Sequence, residues 1–277
     1  MTPRSLLLIE ADPSVQADLS GLLQRDDRHV QAVSASREAL ALLRANPVDL
    51  IVAGSERTAF DPLKLLRRVR SIRPDTKVIL TGDPNPQHIL YAIRQRAFGY
   101  LRAPVVPAAL TDLVQNALDA SSWQDDIRVI SARPEWITLD VRCKIDAADR
   151  TTHFLREITG DLAPHIAEDL ASAFRELLMN GIEHGGKHDP RKRVRASLIR
   201  TPRSIIVHIH DPGTGFSMDF LPHAAISNPA DSPIRHIEVR AEEGIRPGGF
   251  GILLTKNLVD ELLYNERGNA VLFVKYL

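Results

Sequence analysis

The sequence predicts two domains of different class: an α/β domain with a doubly wound, five-stranded parallel sheet, then an α+β two-layer sandwich. Three observations predict it. Between Arg4 and about Ala120, short apolar runs alternate with helical patterns, as expected when helices cover both faces of a parallel sheet. From about Trp136 onward, strand pairs are mixed with long amphipathic helices. A chain of 277 residues, 44% apolar and 25% charged, is long enough for two cores of ordinary size.

In the first domain, residues 5–9, 30–33, 49–53, 77–81 and 99–101 are short and rich in Leu, Ile and Val, as buried parallel strands require. Helical spacing links Val15, Leu19, Leu22 and Leu23, then Leu63, Leu66 and Val69, then Ala109, Leu110, Leu113, Val114 and Leu118. Residues 121–134 have no sustained periodicity and close on Pro134, which predicts a linker there between domains at 1–120 and 135–277. Residues 137–145 alternate as a strand, and Cys143, the single cysteine, falls in that run as a small core residue. A helix over 148–162 is expected to end at Pro164, and another over 166–182 to stop at the pair Gly185-Gly186. Strands at 194–200 and 205–210 flank a Thr201-Pro202-Arg203 turn. A helix over 252–262 and a hairpin around 265–269 leading into residues 271–276 complete the pattern.

Lys plus Arg and Asp plus Glu number 35 each, so no global charge draws the chain to nucleic acid or to an anionic membrane. The apolar stretch near the amino terminus is interrupted by Glu10 and Asp12, too early for a signal peptide or a membrane span, which leads to the expectation of a cytoplasmic protein.

The five-fold β/α alternation, Thr81-Gly82 after the fourth strand and Tyr100-Leu101-Arg102-Ala103-Pro104 after the fifth make residues 4–120 resemble the receiver domain of response regulators. That resemblance implies two acids after the first strand, an acceptor aspartate ending the third and a lysine before the proline. Here Glu10-Ala11-Asp12 places alanine at the second acidic position, Gly54 stands at the acceptor position and Ala103 at the lysine position. A nucleophile, a cation site and a fixed positive charge are all missing, so the domain is expected not to accept phosphoryl groups, even with Ser55 and Glu56 adjacent. A docking or dimerisation surface remains available to such a fold.

Three separated motifs carry the functional reading of the second domain. Glu176 and Asn180 stand four apart in Glu176-Leu177-Leu178-Met179-Asn180, hence on one helix face. Asn offers a neutral oxygen to Mg²⁺ held by phosphates, and a Glu one turn earlier can accept a proton from an attacking hydroxyl. Asp211-Pro212-Gly213-Thr214-Gly215 ends a strand, where a carboxylate can accept a hydrogen bond from an exocyclic adenine amine. Pro247-Gly248-Gly249-Phe250-Gly251 opens a helix, where backbone amides suit phosphate. Each alone also has an ordinary reading, as a polar stripe, a turn or a glycine loop. In this order and spacing they resemble the N, G1 and G2 boxes of the GHKL ATPase superfamily and its Bergerat-type sandwich. The resemblance implies ATP and Mg²⁺ as cofactors, Asn180 on the metal, Asp211 on adenine, Gly213, Gly215, Gly248, Gly249 and Gly251 along the nucleotide, and residues 216–247 as a lid. His184 and Lys187 read as solvated helix-end residues.

Sensor histidine kinases carry a phosphorylatable histidine on a helix pair before these boxes. Here His153 is followed by Phe154 where those kinases place an acid, and Glu176 stands where they commonly have Asn. The second domain is therefore similar to anti-sigma-factor serine kinases. That resemblance implies Glu176 as base toward a partner serine, an anti-anti-sigma-like protein as substrate, a sigma factor as alternative partner, and a homodimer. The alternative is a nucleotide-gated protein-binding module without kinase activity.

Overall fold

The computed structural model describes residues 3–54, 62–216 and 250–277, which divide into two compact units, Met1–Gln124 and Asp125–Leu277. In the first unit β1 (Arg4–Ile9), α1 (Pro13–Leu23), β2 (Arg28–Val33), α2 (Ser36–Ala45), β3 (Leu50–Ala53), α3 (Pro62–Ile72), β4 (Lys77–Gly82), α4 (Pro86–Arg94), β5 (Gly99–Arg102) and α5 (Pro107–Asp119) alternate along the chain. The strands form a sheet of order β2-β1-β3-β4-β5, parallel at every pairing. Every residue of β3 is buried, because helices cover both faces of a central parallel strand. Leu6, Leu8, Val52, Ile79, Leu101 and Val114 belong to one core cluster, which Trp123 closes. The Trp123 ring meets Phe98 edge-on at 6.0 Å and lies under the Arg70 guanidinium at 4.7 Å.

At the carboxyl ends of these strands, the position where a receiver would hold its acceptor is already filled. Glu10 is 5% exposed, and its Oε1 accepts the N–H groups of Ala11 at 2.8 Å and Asp12 at 3.0 Å. Its other oxygen, Oε2, lies where a side chain at Gly54 would begin: a β-carbon there would collide with it and approach Thr81 Oγ1 to 3.0 Å. Ser55 and Glu56 lie outside the described residues.

The second unit contains β6 (Ile127–Arg133), β7 (Trp136–Arg142), α6 (Ile145–Ile158), α7 (Pro164–Asn180), a π-helical turn (Gly181–Gly185), β8 (Arg193–Arg200), β9 (Ser204–His210), α8 (Gly251–Leu258), β10 (Glu261–Tyr264) and β11 (Ala270–Tyr276). Its sheet has the order β10-β11-β9-β8-β7-β6 and is antiparallel throughout. α7 packs on α6, on α8 and on β9 and β11. Among the described residues, no helix is long and apolar enough to cross a membrane.

The expectation of a linker over residues 121–134 does not hold. Trp123 belongs to the first core, and Ile127–Arg133 is the edge strand β6. Its alternation is hidden by an irregularity between Val129 and Ser131, which puts Ile127, Val129 and Ala132 opposite Val141, Leu139 and Ile137 and changes the parity of the buried positions. Three other boundaries shift. The strand expected at 137–145 ends at Arg142, and Ile145 opens α6. α6 ends at Ile158, well before Pro164, and Pro164 instead starts α7, where a missing N–H removes no helical bond. The helix expected over 252–262 stops at Leu258: Val259 is extended, the Asp260 N–H donates to the Val274 carbonyl at 2.9 Å, and Leu262 pairs with Phe273 in the sheet.

Asp126, inside the expected linker, is 3% exposed and faces Lys144 Nζ at 3.0 Å and the Arg150 guanidinium at 3.7 Å. Burial lowers the Arg150 pKa to about 10, against the pull of Asp126 and Asp146. Asp126→Ala strands a buried cation and should cost about 3 kcal/mol in a denaturant titration of the full chain; a loss under about 1 kcal/mol would show Asp126 to be an ordinary linker residue. Gly54→Asp should lower the melting temperature and yield no acyl phosphate with a small-molecule phosphodonor and Mg²⁺, because Glu10 holds the space; phosphate on the variant protein would contradict the filled pocket.

Candidate functional site

The site is built on the last turns of α7. Glu176 lies one turn before Asn180, and beyond Asn180 the helix widens into the π-helical turn, where the Gly186 N–H donates to the Gly181 carbonyl at 2.8 Å. The chain then reverses through Lys187 and His188, both in the left-handed region with φ of 56° and 53°. Gly186 rests on Cys143, which is fully buried and whose thiol burial pushes up to about 11.

Two chain segments converge on this helix end. The first follows β9. A β-carbon at Gly181 would lie 3.3 Å from Asp211 Cβ, and one at Gly185 would collide with Asp211 Oδ1. A β-carbon at Gly213 would lie 2.7 Å from Gly185 Cα. The missing side chains allow the strand end to press against the helix, placing Asp211 beside the π turn. Asp211 Oδ1 accepts the Gly213 N–H at 2.7 Å. The second segment is the start of α8, where a β-carbon at Gly251 would collide with Glu176 Oε1. The α8 amino terminus therefore abuts Glu176, and its first-turn amides lack helical partners of their own. From Glu176 to Gly185 the helical rise amounts to roughly 13 Å, so the two contacts sit at opposite ends of one elongated surface.

Tyr264 lies within electrostatic reach of both carboxylates. Its hydroxyl pKa is raised, first by burial and then by the charges of Asp211 and Glu176, so both carboxylates act on the same phenol. Its ring meets Phe216 edge-on at 5.4 Å. Burial also raises the Asp211 carboxyl pKa, against the Gly213 N–H and the charges of His210 and His184.

The β10–β11 turn holds the Asp211 loop from the other side. The Asp211 N–H donates to the Asn269 carbonyl at 3.0 Å, and Asn269 Nδ2 donates to the Gly213 carbonyl at 3.4 Å. Gly215, at φ 85°, passes directly over the Arg267 carbonyl, and Gly268, at φ 71°, over that of Phe216. Asn265 ties the turn together, its Oδ1 accepting the N–H groups of Asn269 at 3.1 Å and Ala270 at 3.0 Å.

Of the residues expected from sequence, the structure thus brings Glu176 to Gly251 and Asp211 to Gly213 and the π turn, with Asn180 on the helix between. Gly215 packs on the β10–β11 turn. Gly248, Gly249 and residues 217–247 of the expected lid lie outside the described residues. Tyr264, Asn265 and Asn269 were not legible as site residues: Asn265 and Asn269 flank a glycine in what reads as an ordinary hairpin turn, and only the fold carries that turn to Asp211. Among the described residues, no group of three or more His, Cys, Asp or Glu could hold a metal ion. A lone carboxamide such as Asn180 fits Mg²⁺ that takes its other ligands from phosphates and water.

Residues 142–275 match the family model of the histidine kinase-like ATPase domain, and residues 6–115 that of the response regulator receiver domain. The chain is 28% identical over 127 residues to the transcriptional regulatory protein GlrR of Escherichia coli K12, covering 46% of this chain and 29% of that protein. It is 30% identical over 105 residues to the fimbriae Z protein of Salmonella typhimurium, covering 36% of this chain and 50% of the relative. The chain therefore spans between about a third and a half of these curated relatives. A response regulator receiver domain protein from Clostridium thermocellum is a similar solved structure, 25% identical, with a TM-score of 0.39, covering 42% of this chain and 94% of that one. The chain thus joins a response regulator receiver domain at residues 6–115 to a histidine kinase-like ATPase domain at residues 142–275.

Proposed function

We propose that the second domain binds ATP with Mg²⁺ and transfers its γ-phosphoryl group to a serine or threonine of a protein partner, in the manner of anti-sigma-factor kinases, while the first domain acts as a docking or input module that accepts no phosphate. The observation that carries the reading is the convergence on α7: Glu176 against the α8 amino terminus and Asp211 against the π turn, with Tyr264 acted on by both carboxylates.

Each group has a task set by its place. Asp211 Oδ1 is engaged by Gly213, which leaves Oδ2 to accept a hydrogen bond from the exocyclic amine of adenine. The first-turn amides of α8, which have no partner within the helix, suit the phosphates, and Asn180 offers its oxygen to Mg²⁺, which when bound neutralises phosphate charge. Beside those amides, Glu176 is placed to take the proton of an attacking hydroxyl. As the hydroxyl oxygen bonds to the γ-phosphorus, the bond from that phosphorus to the β,γ-bridging oxygen breaks and ADP leaves. Positioning and charge stabilisation supply most of the acceleration in such transfers. An anti-anti-sigma-like protein is the acceptor this reading favours, with a sigma factor as the alternative partner held without transfer.

Glu176→Gln should keep ATP affinity within about threefold but reduce phosphoryl transfer to a co-purified partner by about a hundredfold or more, read as phosphoserine or phosphothreonine by mass spectrometry. An unmodified partner in the wild type, still captured differently in ATP and ADP, would replace the kinase reading with nucleotide-gated binding. Asp211→Asn tests the adenine end. A carboxyl whose folded pKa is raised favours folding while protonated; that contribution is complete below the unfolded value of about 3.9 and lost as pH rises through the folded value. At neutral pH the Asp211 charge therefore works against the fold. Asp211→Asn should leave the melting temperature of the free protein unchanged or higher while weakening ATP binding about tenfold or more by calorimetry. In the wild type, ATP affinity should fall on acidification above the ordinary aspartate value of about 3.9; affinity independent of pH and of Asp211→Asn would remove adenine from this position.

A further inference from the structure

Beside the Asp211 loop runs a chain of side-chain hydrogen bonds whose polarity is fixed by backbone groups. Asn265 Oδ1 accepts the N–H groups of Asn269 and Ala270. The other end of that amide is therefore its nitrogen, which donates to Asn269 Oδ1 at 2.9 Å. Asn269 is left with Nδ2, a group that only donates, toward its two remaining neighbours. One is the Gly213 carbonyl at 3.4 Å, and the other is His210 Nε2 at 3.3 Å. A donor on one side requires an acceptor on the other, so His210 Nε2 carries no proton and the neutral ring holds its hydrogen on Nδ1. Backbone amides thus set the tautomer of His210 through two carboxamides.

Asn269 is 8% exposed, so its N–H bonds depend on partners within the protein. Its backbone carbonyl also takes the Asp211 N–H at 3.0 Å. The residue therefore grips His210, Asp211 and Gly213 at once, the stretch that presents the Asp211 carboxylate. Protonation of His210 turns Nε2 into a donor, sets N–H against N–H and breaks one of these grips. Arg195, directly across on β8, is engaged through Nε and Nη2 by both carboxylate oxygens of Asp140, and the residue across on β11 is Ala270. His208 stands two residues earlier on the same strand face, and Asp211 follows. The charge of a protonated His210 favours the Asp211 carboxylate, but His210 is exposed and solvent screens that pull, whereas the lost hydrogen bond is direct. With Asp211 taken as the acceptor of the adenine amine, we propose that Asn269 and His210 are positioning residues that hold its loop for adenine only while His210 Nε2 is unprotonated.

Two-bond ¹H–¹⁵N NMR on the full chain reads the tautomer directly, with His210→Gln identifying the ring. His210 should show the Nδ1–H form, and an Nε2–H form overturns the proposal. Binding is read by calorimetry as the preference for ATP over purine riboside triphosphate, which has the same phosphates and lacks the exocyclic amine, so titration of the phosphates cancels. Between about pH 8 and pH 5, where histidine takes up a proton, the wild-type preference should fall about tenfold. The conservative variant His210→Gln offers an oxygen near the Nε2 position that gains no proton. It should restore the preference at pH 8 to within about threefold of wild type and abolish most of the fall. Asn269→Asp keeps the oxygen that Asn265 needs but turns an acceptor toward the Gly213 carbonyl. It should lose about tenfold of the preference at pH 8 while binding purine riboside triphosphate as the wild type does, which shows it folded. A fall that persists in His210→Gln belongs to Asp211 alone and overturns the proposal. A preference indifferent to pH or to Asn269→Asp overturns it as well, with the adenine assignment left standing. A wild type without preference at any pH overturns that assignment and the proposal together.

Discussion

The second domain depends on how closely the end of β9 and the start of α8 can approach the last turns of α7. Gly181, Gly185 and Gly213 make room at one contact and Gly251 at the other, and a single methyl at Gly185 or Gly251 would occupy the space of a carboxylate oxygen. Helix–strand packing with ordinary side chains would separate these segments by several ångströms and break the convergence. The π turn carries both Gly181 and Gly185, and both face Asp211. Glycine here serves proximity more than turn geometry; among the described site glycines, only Gly215 and Gly268 also need positive φ.

Much of this could be read from sequence because its chemistry is local. Glu176 and Asn180 share a helix face by spacing alone, and Asp211 sits at the end of a run whose alternation marks a strand. The parallel strands of the first domain were equally plain, since strands buried on both faces are continuous apolar runs. What escaped depends on partners distant in sequence. β6 reads as linker because a bulge shifts its buried positions by one, and only pairing with β7 reveals its register. Leu258 and Leu262 stand four apart and resemble one helix face, yet the pull of β11 turns the second into a strand. Asn269 and Tyr264 acquire meaning only when the last hairpin is carried to Asp211.

The first domain has the architecture of a receiver with other residues at the positions of its site. Ala11, Gly54 and Ala103 stand where the receiver resemblance implies the second acid, the acceptor aspartate and the lysine. The space at the acceptor position is closed: Glu10 occupies it with a buried carboxylate satisfied by two backbone amides, and Gly54 is the residue that leaves room for it. Two backbone amides hold the Glu10 carboxyl in place, so an acid at Gly54 would set two carboxyl groups in one pocket. Gly54 and Glu10 are thus packed against each other, and Thr81 closes the same space.

In the second domain the buried charge has the opposite meaning. Asp211 is disfavoured by its surroundings while ionised, and His184 and His210 offset that only in part. A purely structural turn would gain by replacing this acid, because Asn could still accept the Gly213 N–H without the charge. Retaining the carboxylate makes physical sense if a ligand supplies the missing donor, so the cost to the free protein becomes binding energy when that donor arrives. The site lies among the helices that cover one side of the sheet.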